Sequence, residues 1–120
     1  MIKGLEALFV EAFLSARNAG VDKHLLASLE DSYPDFPWRK TVGYMISRTA
    51  VHGKRRAAEM RGSAEMLTAI GLGGDMSAAS ARVQDWMAAL DLGASFTGDI
   101  PQDYETLADA ALAKIKERSK

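Results

Sequence analysis

Cysteine is absent from the 120 residues, which excludes a disulfide framework, a thiolate metal site and a cysteine nucleophile. An excess of one charge is lacking too. Fifteen lysines and arginines face 16 aspartates and glutamates, for a formal net charge of −1. No global field therefore draws the chain to nucleic acid or to an anionic membrane. Hydrophobic runs are short, and none approaches the roughly 18–20 apolar residues of a membrane span. Glu6 and Glu11 interrupt the apolar N-terminus, and no small-residue cleavage site follows them, so a signal peptide is not expected. The expectation is a cytoplasmic protein with neither membrane nor nucleic acid as partner.

Proline is scarce, at Pro34, Pro37 and Pro101 only. Strand-like alternation of branched residues is missing as well, while alanine and leucine dominate. What remains is an ordinary globular composition, 48% hydrophobic and 26% charged, in a length that suits one domain. The reading is all-α, with about six helices in a single domain over residues 1–120.

The first helix is expected over residues 2–19. Leu5, Leu8, Phe9, Ala12, Phe13 and Ala16 recur at helical spacing, and Val10 and Leu14 add a second apolar stripe. A helix apolar nearly all round is a buried central one. Gly20 is placed to end it in the left-handed conformation. No Ser, Thr, Asp or Asn precedes Ile2 to cap the helix, yet the apolar pattern starts at full strength. The expectation is that the helix begins further upstream and that this chain is the C-terminal part of a longer one.

A short second helix follows Asp22 as its cap and carries Leu25, Leu26 and Leu29. The prolines at 34 and 37 mark a break. A third helix carries Trp38, Val42, Met45 and Ile46, and a fourth covers residues 52–70 up to the glycines at 71, 73 and 74. A fifth starts at a Ser77 cap and stops at Gly93, and Pro101 opens the last at its favoured first position. Gly71-Leu72-Gly73-Gly74 follows a helix and not a strand, so it fails the context test for a dinucleotide-binding loop.

The stretch richest in chemistry is Arg48-Thr49-Ala50-Val51-His52-Gly53-Lys54-Arg55-Arg56. Arginine forks bind carboxylate or phosphate in bidentate fashion. Gly53 would let the backbone turn or approach closely, and a helix starting there would add its positive end. One reading is an anion site for an acidic substrate, built from Arg48, His52, Lys54, Arg55 and Arg56. The other is a solvated basic turn in which Arg55 pairs with Glu59. Lys3 is either a snorkelling end residue or a weak candidate for a general acid/base. His24 is expected to face solvent. His52 has Arg56 where a second metal ligand would stand, so no metal site is expected. Trp38 and Trp86 read as core or interface anchors.

Three stretches resemble one known family: Ile2-Lys3-Gly4-Leu5-Glu6-Ala7-Leu8 with Glu11-Ala12, then residues 52–60, and Leu72-Gly73 with Met76 downstream. Together they are similar to the C-terminal helical domain of 6-phosphogluconate dehydrogenase-like, NAD-binding β-hydroxyacid dehydrogenases. More narrowly, they resemble the domain of unknown function that follows the Rossmann domain there. The resemblance implies an upstream Rossmann domain holding NAD or NADP, a homodimer, a small acidic substrate, and hydride transfer assisted by a lysine. The family's catalytic lysine is followed three or four residues later by asparagine. Here Glu6 and Ala7 follow Lys3, so that role does not carry over, and a second family motif, Lys-Asp, falls near Lys54-Arg55-Arg56 without its Asp. A stand-alone helical oligomerisation module, associating through Trp38 or Trp86, is the alternative.

Overall fold

A computed structural model describes residues 1–119. Five α-helices appear in order: α1 (Ile2–Asn18), α2 (Asp22–Ser32), α3 (Trp38–Ala69), α4 (Asp75–Ala89) and α5 (Tyr104–Arg118), with a 3₁₀ turn at Leu92–Ser95 between the last two. The fold is all-α. No described helix is long and apolar enough to cross a membrane.

α1 packs against the other four helices. It buries Glu6, Ala7, Phe9, Val10, Phe13, Leu14 and Ala16, as its double apolar stripe requires. Phe13 sits at the centre, edge-on to Phe9 and to Tyr104 with ring centroids 6.1 and 5.1 Å away. Val42 and Ile46 of α3, Met87 of α4, Leu90 directly after it, Leu92, and Leu107 and Ala111 of α5 close the core around it. The helix ends as expected: Gly20 takes φ +75°, while Gly20 and Val21 donate their N–H groups to the carbonyls of Arg17 and Ala16. This Schellman pairing satisfies two otherwise orphaned carbonyls.

The third and fourth expected helices are one element. α3 runs unbroken for 32 residues because nothing at residues 47–53 stops it. The Ser47 and Thr49 hydroxyls fold back onto the Tyr44 and Ile46 carbonyls of the same helix. Gly53 serves close packing, not a turn: a Cβ there would lie 2.5 Å from the Gln84 carbonyl oxygen. α4 therefore crosses α3 at van der Waals distance. Gly43 plays the same part for the chain before α5, where a Cβ would come within 2.1 Å of the Gln102 carbonyl oxygen.

The expected caps shift for related reasons. Val21, not Asp22, precedes α2. The Asp22 carboxylate turns inward instead, accepting hydrogen bonds from Tyr104 Oη at 2.7 Å and Arg17 Nη1 at 3.2 Å. α4 starts two residues before Ser77, behind a left-handed Gly74. α5 starts three residues after Pro101, with Asp103 accepting from the Thr106 N–H. A partner in the core outbids a local cap at Asp22; at α5 the Asp103 side chain supplies the cap, while α4 starts without a capping side chain.

Candidate functional site

Tyr44, Arg48, His52 and Arg56 recur every four residues along α3 and so form one row. Loss of the expected helix break changes the electrostatics of that row. It lies in the middle of a helix, so no helix N-terminus adds positive charge to it. Its field comes from the side chains alone.

At the lower end, Arg56 Nη1 donates to Glu6 Oε2 at 2.6 Å. Glu6 is only 2% exposed, and its other oxygen accepts from Gln84 Nε2 at 3.1 Å. Gln84, wholly buried, also donates to the Lys3 carbonyl at 3.1 Å. Three helices thus meet on one carboxylate. A buried carboxylate needs a cation and donors, or its desolvation is uncompensated. Arg56 is that cation, and its charge is consumed in the pairing.

At the upper end, Arg48 is half-buried and makes no ion pair among the described residues. Its guanidinium lies 5.3 Å from the centroid of the Tyr44 ring and its Nη1 approaches His52 Nε2 at 3.4 Å. Arginine can only donate, so a hydrogen bond here requires the lone pair on His52 Nε2, the arrangement of a neutral ring. The surroundings favour the same state. Burial lowers the His52 pKa, the positive charges of Arg55, Arg48 and Arg56 lower it further, and Glu6 opposes them. The Nε atoms of Arg48 and Arg56 and the Gln84 amide oxygen are buried without hydrogen-bond partners among the described residues.

The remaining candidates stand around this row. Lys3 pairs with Glu59 at 2.8 Å, an end residue tied to a surface acid. That pairing is the leading influence holding the Glu59 carboxyl below its usual range. Arg55 reaches the same Glu59 at 3.8 Å, the (i, i+4) partner its spacing suggests. Lys54 is exposed, and so is His24. Among the described residues, no group of three or more His, Asp or Glu is arranged to hold a metal ion. Trp38 is a half-buried anchor whose Nε1 donates to the Tyr33 carbonyl at 2.9 Å.

Sequence reasoning missed Glu6, Gln84 and Tyr44 as members of the site. A signal existed for Glu6: it occupies the same stripe as Phe9, Val10 and Phe13, where a carboxylate implies a buried cation. Tyr44 could be read from its place four residues before Arg48. Gln84 carried no such signal.

A family model, the domain of unknown function DUF1932, matches residues 16–87. The chain belongs to this family, which is the helical C-terminal domain of NAD-binding hydroxyacid dehydrogenase-like proteins. The matched span holds the whole α3 row and the 72–76 stretch, but not the start of α1. A solved structure, of a conserved hypothetical protein from Sinorhizobium meliloti 1021, is similar at 35% identity and a TM-score of 0.80. The similarity covers 95% of this chain and 38% of that one. This chain therefore spans well under half the length of that relative. No curated protein matches it.

Proposed function

We propose that this chain is the substrate-binding and dimerising domain of an NAD(P)-dependent oxidoreductase acting on a small hydroxy acid. Family membership carries the reading, since the family's members follow NAD-binding domains. The length of the Sinorhizobium meliloti relative, of which this chain matches 38%, leaves ample room for such a domain. The narrower kinship, with 6-phosphogluconate dehydrogenase-like β-hydroxyacid dehydrogenases, belongs to the same proposal.

The described residues do not fit a dinucleotide. The glycines at 71, 73 and 74 join two helices at the exposed end of a hairpin, with no strand before them among the described residues. The cofactor belongs, on this proposal, to a preceding Rossmann domain. This domain's part is to hold the acid group of the substrate. Arg48 is the group suited to it: charged, half-buried, braced by Tyr44 and free of any carboxylate. Neutral His52 offers a hydrogen bond beside it. Lys54 and Arg55 supply outer positive charge, and Arg56 anchors the row from below.

The test is the mass of the protein from its native source, followed by hydroxy-acid-dependent reduction of NAD+ or NADP+. The expected product is far heavier than 13.0 kDa and reduces nicotinamide with a small hydroxy acid. A native product of 13.0 kDa, inert to nicotinamide, would overturn the reading. It would favour a stand-alone helical oligomerisation module, for which the 41% exposure of Trp86 is the specific support.

A further inference from the structure

A groove of about 720 Å³ runs between α1, α4 and α5, with no residue of the arginine row in its lining. Val10 and Leu14 of α1, Val83 of α4, and Leu112 and Ile115 of α5 line it with apolar surface. Trp86 stands on its α4 wall, 41% exposed. Two charges mark opposite walls: Glu11 on α1 and Arg82 on α4. Both are exposed, and neither has an ion-pair partner among the described residues.

We propose that this groove is occupied by a second copy of the same chain, related by a two-fold axis through the groove. The inference rests on the dimerising part of the function proposed above and names its surface. The pattern of charge selects the occupant. In an isologous contact, residue i meets residue j of the partner and j meets i. A patch carrying one acid and one base across an apolar floor is then its own complement: Glu11 of each copy meets Arg82 of the other. Trp86 supplies the large, stiff anchor that interfaces favour. A different partner would have to supply the matching charge pair independently.

The experiment is a charge-exchange cycle on the 120-residue chain, read by sedimentation equilibrium. The wild type is expected to dimerise, with a dissociation constant that rises with salt because rim pairs are screened. Glu11→Arg and Arg82→Glu should each weaken the dimer by about tenfold or more, and the double exchange should restore most of the loss. Trp86→Ala should weaken it comparably while leaving the helical content of the monomer unchanged. A dimer untouched by all four variants overturns the surface and leaves dimerisation standing; the exposed Met66, Ile70, Leu72 and Met76 would be the next surface to examine. A wild type that stays monomeric overturns both the surface and the dimerising role. Nicotinamide reduction by the longer protein is read separately, so the oxidoreductase reading stands or falls on its own.

Discussion

Arg48 and Arg56 lie two helical turns apart on α3, yet their environments give them different work. Arg56 is committed to buried Glu6 at 2.6 Å, so removing it strands a carboxylate. Arg56→Ala should cost about 3–5 kcal/mol in denaturant melts. Replacing both partners together, Glu6→Leu with Arg56→Met, should return most of that loss, because an apolar pair needs no compensation. Arg48→Ala should cost only about 1 kcal/mol, since a half-exposed cation–π contact and one long approach to His52 at 3.4 Å are lost. In the oxidoreductase proposed above, it should raise KM for the proposed hydroxy acid by about tenfold or more, the worth of one charge-assisted hydrogen bond. An unchanged KM in a stable Arg48→Ala protein would remove Arg48 from the substrate site. Tyr104 gives a second residue-scale expectation. Its burial and its hydrogen bond to Asp22 push its pKa up to about 12. A raised folded-state value means the stabilisation is complete below the unfolded value near 10 and is lost as pH rises toward about 12. Thermal melts should show that alkaline decline, and Tyr104→Phe should flatten it. Asp22 works in the opposite direction. The Tyr104 hydrogen bond holds its pKa low, aided by Arg17, so its contribution is present above the unfolded carboxylate value and is lost in acid.

At the scale of the element, periodicity carried most of the fold into view. The apolar stripes of α1 and the left-handed Gly20 could be read directly, because both follow from local geometry. The continuity of α3 could not. Gly53 among polar residues reads as a break, and only the approach of α4, from a helix some thirty residues away, shows that it is a packing position. The Asp22 cap failed for the same reason: its partner Tyr104 lies 82 positions along the chain. The candidate site was legible as a basic run but not as an arrangement, since the partner that consumes Arg56 sits on α1. Two substitutions test the packing argument. Gly43→Ala and Gly53→Ala would each improve helix propensity by about 1 kcal/mol if exposed. Here each Cβ would collide with a backbone carbonyl oxygen, 2.1 Å away at Gly43 and 2.5 Å at Gly53. Both should therefore destabilise, by about 1–3 kcal/mol. A neutral or stabilising result at Gly53 would mean that α4 does not press on α3 there.

The whole molecule divides into a body and an arm. The body is the cluster around Phe13, to which every helix contributes. Arg17 ties its far side together, reaching Asp22 on α2 as well as Glu105 and Asp109 on α5. The arm is the distal end of the α3–α4 hairpin. Ala57, Met60 and Ala81 form a small separate cluster at its root, and beyond it residues 61–79 contain no buried position. Few buried apolar contacts and exposed backbone hydrogen bonds mean low local opening free energy. Native-state hydrogen exchange should thus separate the molecule into two tiers. Amides of residues 42–57 and 107–111 should open only with global unfolding, whereas those of residues 61–69 and 78–79 should exchange through openings that cost less and expose less surface. The proposed groove lies between α1, α4 and α5 and meets the arm only at Ala79, so its dimer should raise protection around Trp86 while leaving residues 61–74 unchanged. Equal protection throughout would show the arm to be part of one cooperative unit. Added protection on the arm as the chain concentration rises would move the self-association surface from the groove to the hairpin tip.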